Sequence, residues 1–377
     1  MTLLIDRNLL DNQPAVHVLI VGVGEYPHLQ GGAGKPFANN AGMGQLTSPP
    51  ISASSFAEWL KKNLEPFGAE LGSIAVLCSG NASFVDDSSN PVYPQTANLT
   101  NLIQSVYDWY ERGNKHEDNQ MIFYFCGHGA TSGIVNSLLL SNFGENKLDP
   151  FGTGAFDADG FMNGMRKCKA KHQLYLFDAC RSVPQNYLRD FGSKGGADLI
   201  AGSAHENLGI GQQVCLWASE LGLSAFARPG ENSVFMDGLL LAMLGSGSLR
   251  EDDGSWHIQA RSLEKGINVF IEGILGKEEK QFVTPGRLSS SFPIHVLSAP
   301  PMVPIKVTSV PANIFTEIEI KCNSGHSKPI GTDGPWRLDL PYGVYKMSAS
   351  MTAGGVVVST EDCLATPPCQ TVPLKIY

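Results

Sequence analysis

The sequence predicts an α/β domain, a mostly parallel sheet flanked by helices on both faces, followed by a small C-terminal β-sandwich. Three observations predict it. Apolar runs such as Met121–Phe125 read as strands buried on both faces. These runs alternate with helical stretches as far as residue 298, the order that winds a parallel sheet. From the prolines at 300–304 onward the texture changes to short alternating strands between Gly, Pro and Asp turns, the rhythm of a sandwich. The expected division is therefore 1–298 and 299–377.

In the first part, Ala15–Gly24 is β-branched and ends in glycines, as a buried first strand does. Ala53–Leu64 puts Phe56, Leu60 and Leu64 on one helical face, with Ser52 or Ser54 as its cap. Ser73–Cys78 is a short strand, and Asn98–Arg112 sets Leu99, Leu102, Ile103, Val106 and Tyr110 at helical spacing. Gln120–Cys126 is the next strand, Ser137–Leu140 a small one, and a polar helix follows near Phe161–Ala170. His172–Phe177 is a strand that stops at D-A-C-R-S, and Leu199–Gly202 is brief and β-like. Ser233–Leu244 and Ala260–Leu275 suit helices packed on a sheet, and Pro293–Leu297 closes the pattern. Segments 28–52 and 79–97 read as surface loops. In the sandwich, Trp336, Tyr342 and Tyr345 are expected in the core.

A net charge of −9 and a pI near 5.5 argue against nucleic acid as a partner, because phosphate needs a basic face. No stretch approaches the roughly 20 apolar residues of a membrane span. Asp6 and Arg7 break the N-terminal apolar run, so it does not read as a signal peptide. The eight cysteines show no C-x-x-C pair, which argues against a disulfide scaffold or zinc ribbon. Cys363 and Cys369 could bridge only in an oxidising compartment, and a cytoplasmic protein with free thiols is expected. D-A-D-G at 157–160 and E-D-D-G at 251–254 lack full calcium-loop spacing and default to solvated turns.

The chemistry gathers at two strand ends, where parallel sheets place their reactive crevices. One end reads Gly127-His128-Gly129, the other Asp178-Ala179-Cys180. A thiol attacks as the thiolate and needs a base, and imidazole titrates near neutrality. Their separation of about 50 residues leaves room for a crossover helix between adjacent parallel strands. Alone, His128 would more often be structural and Cys180 an inert core thiol; the pair carries the catalytic reading. A metal pair of Cys126 and His128 would want two more ligands, so Cys126 reads as core.

The strings F-Y-F-C-G-H-G and L-Y-L-F-D-A-C-R-S resemble the His and Cys motifs of caspase-like cysteine peptidases of the bacterial metacaspase type. The resemblance spans roughly residues 15–298 and includes L-I-V-G-V-G-E-Y and S-V-F-M-D-G-L-L-L-A-M-L. It implies a peptidase with His128 as base and Cys180 as nucleophile. It also implies an oxyanion hole made by the N–H groups of Gly129 and Cys180. Asp178 would bind the residue before the scissile bond (P1), Arg first and Lys second, since a carboxylate holds guanidinium well. Metacaspases carry a second acid in an N-D-A motif. Here the matching stretch is L-T-S-P-P-I-S-A, with Ser52 at the acidic position, which weakens the expected grip on a basic P1 side chain. Arg189 and Lys194 are candidate self-cleavage sites, set against the default of a solvated loop.

No cofactor is expected; some metacaspases need calcium, and no calcium site is assigned. Expected partners are a protein or peptide substrate and, through the C-terminal domain, a regulatory protein. By analogy the enzyme would serve bacterial stress response, cell death or defence. The alternative is a caspase-fold adaptor that binds protein partners without turnover.

Overall fold

The structure is a computed structural model that describes residues 1–7, 12–38, 40, 42–132, 135–181, 195–201, 211–223, 225, 227–275, 281–288, 291–353 and 355–376. Its central sheet has seven strands: β1 (Thr2–Asp6), β2 (Ala15–Val23), β3 (Glu70–Ser79), β4 (Gln120–Gly127), β5 (His172–Ala179), β6 (Gln212–Trp217) and β7 (Thr284–Leu288). They lie in the order β1-β3-β2-β4-β5-β6-β7. The five inner strands are parallel and the two edge strands antiparallel to their neighbours.

Helices cover both faces, which is why the inner strands can be mostly apolar. Along β4, Ile122, Tyr124 and Cys126 enter one core, with α1 (Ser48–Asn63), α4 (Val234–Leu241) and α5 (Leu263–Leu275). Met121, Phe123 and Phe125 enter the other, with α2 (Leu99–Gly113) and α3 (Ala158–Met165). The alternation is the two-residue period of a strand. On α2 the buried stripe is Leu102, Val106 and Trp109, whereas Ile103 faces outward.

Several expectations are corrected. Helix α1 begins at Ser48 rather than Ala53, because Pro49 and Pro50 fit its first turn, where no backbone N–H is required. The end of the supposed 28–52 loop is thus helix. Neither Ser52 nor Ser54 caps it: Ser52 is buried within the helix, and Ser54 Oγ donates to Ser83 O at 2.6 Å. The helix expected near Phe161–Ala170 is α3, capped by Asp157, whose carboxylate accepts from the Asp159 N–H at 3.0 Å. The described part of Leu199–Gly202 is not a strand, and the place beside β5 belongs to β6. Two glutamines at its start hide β6 from a hydrophobic-pattern reading. Gln213 is buried and donates to Met162 O (2.8 Å) and Gln173 Oε1 (2.9 Å). Pro293–Leu297 lies outside the main sheet and pairs with Trp256–Gln259 in a separate three-stranded sheet.

From Met302 two small sheets face each other around their own core, which includes Val303, Val307, Ile320, Met347 and Leu374. One of their pairings, Met302–Val310 with Gln370–Lys375, is parallel. Trp336 and Tyr345 pack on that core. Tyr342 instead meets Trp256 of the preceding unit, ring centroids 4.8 Å apart, with the Arg250 guanidinium above it.

His17 in β2 is buried, with Nδ1 2.9 Å from Ser73 Oγ. Burial, with Arg112 and Lys115 adding to it, pulls its pKa down to about 4. The unfolded chain, with histidine near 6.5, therefore takes up the proton first. Stability from neutral His17 is full above that value and is lost as pH falls toward 4. Between pH 7 and pH 4.5 the loss is expected to be about 2 kcal/mol. Urea unfolding at both pH values should show His17→Asn lacking that share of the pH dependence; an identical dependence would refute it.

Candidate active site

Strands β4 and β5 pair in parallel from Gln120–His172 to Gly127–Ala179. His128 and Cys180 are the next residue on each strand, so the two ends are level and neighbouring. Gly129 confirms how close they run: a Cβ built there would lie 2.4 Å from the Cys180 carbonyl oxygen. Only glycine permits that approach.

His128 is held on four sides. Its backbone N–H donates to Tyr26 Oη at 2.8 Å, and its carbonyl accepts from the Leu139 N–H at 2.9 Å. Its ring tilts against Tyr26, centroids 4.8 Å apart. Its Nε2 lies 2.8 Å from Gly44 O. A carbonyl can only accept, so Nε2 carries the hydrogen and Nδ1 keeps the free lone pair. Burial pushes the imidazole pKa down, and the Gly44 contact offsets part of that shift. The result is a neutral ring with an available base nitrogen. Tyr26 is fixed in turn by Gln45, whose side chain bonds both its N–H (2.8 Å) and its carbonyl (3.0 Å).

Cys180 is partly exposed. Its sulfur accepts from the Ala225 N–H at 3.3 Å, and the Ala225 carbonyl lies 3.9 Å away. Beyond Gly127 the chain turns into a hairpin, Gly129–Ser132 against Val135–Leu139. The bond from Leu139 N–H to His128 O makes Gly129–Leu138 a non-hydrogen-bonded pair, which directs the Gly129 N–H away from that partner strand.

Asp178 sits one side-chain step deeper than Cys180, on the face under α1. It is 4% exposed. Its Oδ2 accepts from Tyr124 Oη (2.8 Å) and from Ser233 Oγ, and the Cys126 thiol also bonds the carboxyl. Burial raises its pKa against the opposing pull of those three donors. Cys126 is a core thiol whose pKa burial pushes far up. Ser52, fully buried, accepts the Ser233 N–H at 3.0 Å. Ser233 thus joins the two residues that the sequence reading assigned to a P1 pocket, and it also caps α4 by accepting from the Met236 N–H at 3.0 Å. Its capping role was legible as a serine opening a helix; its bond to Asp178 was not. Tyr26 lies at the end of the L-I-V-G-V-G-E-Y stretch, but its contact with His128 was not legible there, and Gly44 and Ala225 carried no signal, since backbone atoms look alike in any loop.

Arg189 and Lys194 lie outside the described residues. Among the described residues, no group of three or more His, Cys, Asp or Glu side chains is placed to hold a metal, and no helix is long and apolar enough to cross a membrane. Among the described residues no disulfide links the cysteines, and Cys363 and Cys369 are not bridged.

No family model matches the chain. Over 295 residues it is 26% identical to an uncharacterized protein, y4kE, of Sinorhizobium fredii, a match covering 75% of this chain and 83% of that protein. Among solved structures it is similar to caspase-1 from Spodoptera frugiperda, with a TM-score of 0.43 and 11% identity, over 78% of this chain and 94% of that one.

Ser233 permits a contrast. Ser233→Ala removes a helix cap and a donor to Asp178, and is expected to cost about 1–3 kcal/mol. Ser233→Asp keeps a good cap but sets a second carboxylate against the buried one, and should cost more. Denaturant midpoints of the two variants check this; an aspartate variant as stable as wild type would count against the buried contact.

Proposed function

We propose that the chain is a cysteine endopeptidase that cuts after a basic residue, Arg before Lys. The observation that carries the reading is the level pairing of β4 and β5, which sets His128 and Cys180 side by side with Gly129 against the nucleophile's carbonyl. Cys180 Sγ would attack the scissile carbonyl carbon while its proton passes to His128 Nδ1. The carbonyl electrons move onto oxygen, facing the N–H groups of Gly129 and Cys180. Collapse of that intermediate expels the amine, which takes the proton from His128. A water molecule, deprotonated by His128, then attacks the thioester and frees the acid and the thiol. Asp178, beneath the nucleophile, supports a basic P1 side chain through charge. Its resemblance to the metacaspase pattern supports the same choice, and a stress, cell-death or defence role extends that analogy.

A second reading is a caspase-fold adaptor without turnover. It is favoured by the closure around Asp178, whose Oδ2 already holds two hydroxyl donors. An arginyl chloromethyl ketone separates the readings, since it should alkylate Cys180 selectively in an enzyme and leave a scaffold unlabelled.

Peptides with Arg, Lys or Asp at P1 are expected to be cleaved in the order Arg, Lys, with Asp untouched. Cys180→Ala should lower kcat by about 1,000-fold or more. Cleavage confined to Asp-P1 peptides would exclude the pocket assignment, and activity in the alanine variant would exclude the mechanism. Because burial holds the His128 pKa down, the base stays neutral into acid. The acid limb of kcat/KM should therefore lie below the ordinary histidine value of about 6.5. A limb at or above it would contradict the buried geometry.

A further inference from the structure

The two backbone donors of the proposed oxyanion hole sit on different arms: Cys180 follows β5, and Gly129 opens the hairpin after β4. Their spacing must be held by something other than the strand pairing, which has ended. Arg181 spans the gap. Its Nε donates to Asn136 Oδ1 at 3.1 Å, and Asn136 lies on the returning strand of the Gly129 hairpin, opposite Thr131. The guanidinium lies over the face of Trp217, 4.8 Å from the ring centroid. That indole is itself fixed. Phe177 is 4.5 Å from it, centroid to centroid, and Gly286 leaves just enough room, since a Cβ there would lie 2.6 Å from the indole nitrogen.

Asn136 is buried and oriented by more than Arg181. Its Oδ1 also accepts from Thr131 Oγ1 (3.1 Å), and its NH2 donates to Asp159 Oδ2 (2.9 Å). These bonds fix which end of the amide faces Arg181. The Arg181 backbone is bound as well, its N–H to Leu223 O (3.1 Å) and its carbonyl to the Gly222 N–H (2.8 Å). The residue after the nucleophile is thus tied to the sheet through Trp217, to the hairpin through Asn136 and to Gly222 and Leu223 through its backbone.

We infer that Arg181 and Asn136 form a clamp that sets the distance between the Gly129 and Cys180 N–H groups, so that both are positioning residues for the proposed peptidase. The inference rests on the reading of Cys180 as nucleophile. Neither side chain takes a proton or touches the reacting atoms. The clamp acts on acyl transfer, where the oxyanion needs both donors, and not on the reactivity of the thiol itself. A misplaced donor costs rate rather than substrate affinity.

The test compares two reactions of the full chain. One is turnover of an Arg-P1 peptide amide, which builds an oxyanion. The other is alkylation of Cys180 by iodoacetamide, which does not. Arg181→Gln and Asn136→Ala are each expected to lower kcat by about 10- to 100-fold with KM within about twofold of wild type, and to leave the alkylation rate unchanged. The unchanged alkylation rate also reports that each variant is folded around Cys180. Because both residues act through one contact, the double variant should be no slower than the slower single variant. Wild-type turnover with additive losses, or with losses mirrored in alkylation, overturns the clamp and leaves the peptidase reading standing. A wild-type chain that turns over no peptide overturns both.

Discussion

Strands β4 and β5 run level for eight residue pairs, and each stretch is mostly apolar on both faces. A strand of that kind has no polar side to fix its register, and a slip by one residue would bury much the same surface. Polar bonds across the strands supply what the apolar pattern lacks. Tyr124 on β4 donates to Asp178 on β5, and Gln213 on β6 donates to Gln173 Oε1 on β5, an oxygen that also accepts from Tyr175 of the same strand at 2.7 Å. A shifted register would take the Tyr124 and Cys126 donors away from the buried Asp178 carboxyl, at a cost of about 1–3 kcal/mol for each. The Asp178 carboxyl therefore specifies the alignment on which the meeting of His128 and Cys180 depends. It is at once the floor of the candidate pocket and the pin of the sheet.

The remaining geometry comes from loops fastened to that frame. One, through Gln45 and Tyr26, holds His128 and chooses its tautomer. The other descends from Ala225 at the sulfur to Ser233 at Asp178. On its way it is tied to the start of α1, by Ser48 Oγ to Arg228 O (3.1 Å) and by the Gly230 N–H to Thr47 Oγ1 (2.9 Å). Ser52 belongs to this seam. At the position where a second acid would sit, a hydroxyl accepts a backbone N–H and closes the loop onto the helix.

How far the sequence could be read follows the same physics. Four of the five inner strands were legible because two covered faces leave long apolar runs. His128 and Cys180 were legible because those runs end on them. Strand β6 was not, since Gln212 and Gln213 open it and Gln213 is satisfied by partners remote in sequence. The edge strands β1 and β7 are short and antiparallel and depend on a neighbour that sequence does not name. The start of α1 was misread because two prolines mark a turn as readily as a first helical turn. The supports of the site were hidden for a different reason. Gly44 and Ala225 contribute backbone atoms, which every residue type offers alike.

Trp217 has a consequence of another kind. Its indole carries a guanidinium on one face and borders the arm that bears the candidate nucleophile. Indole emission responds to a cation over the ring, so displacement of Arg181 changes the light the ring emits. The chain thus contains a native chromophore stationed at its own strand end. Trp217 is one of five tryptophans, so the signal of that arm is the part of the emission that a Trp217→Phe variant removes.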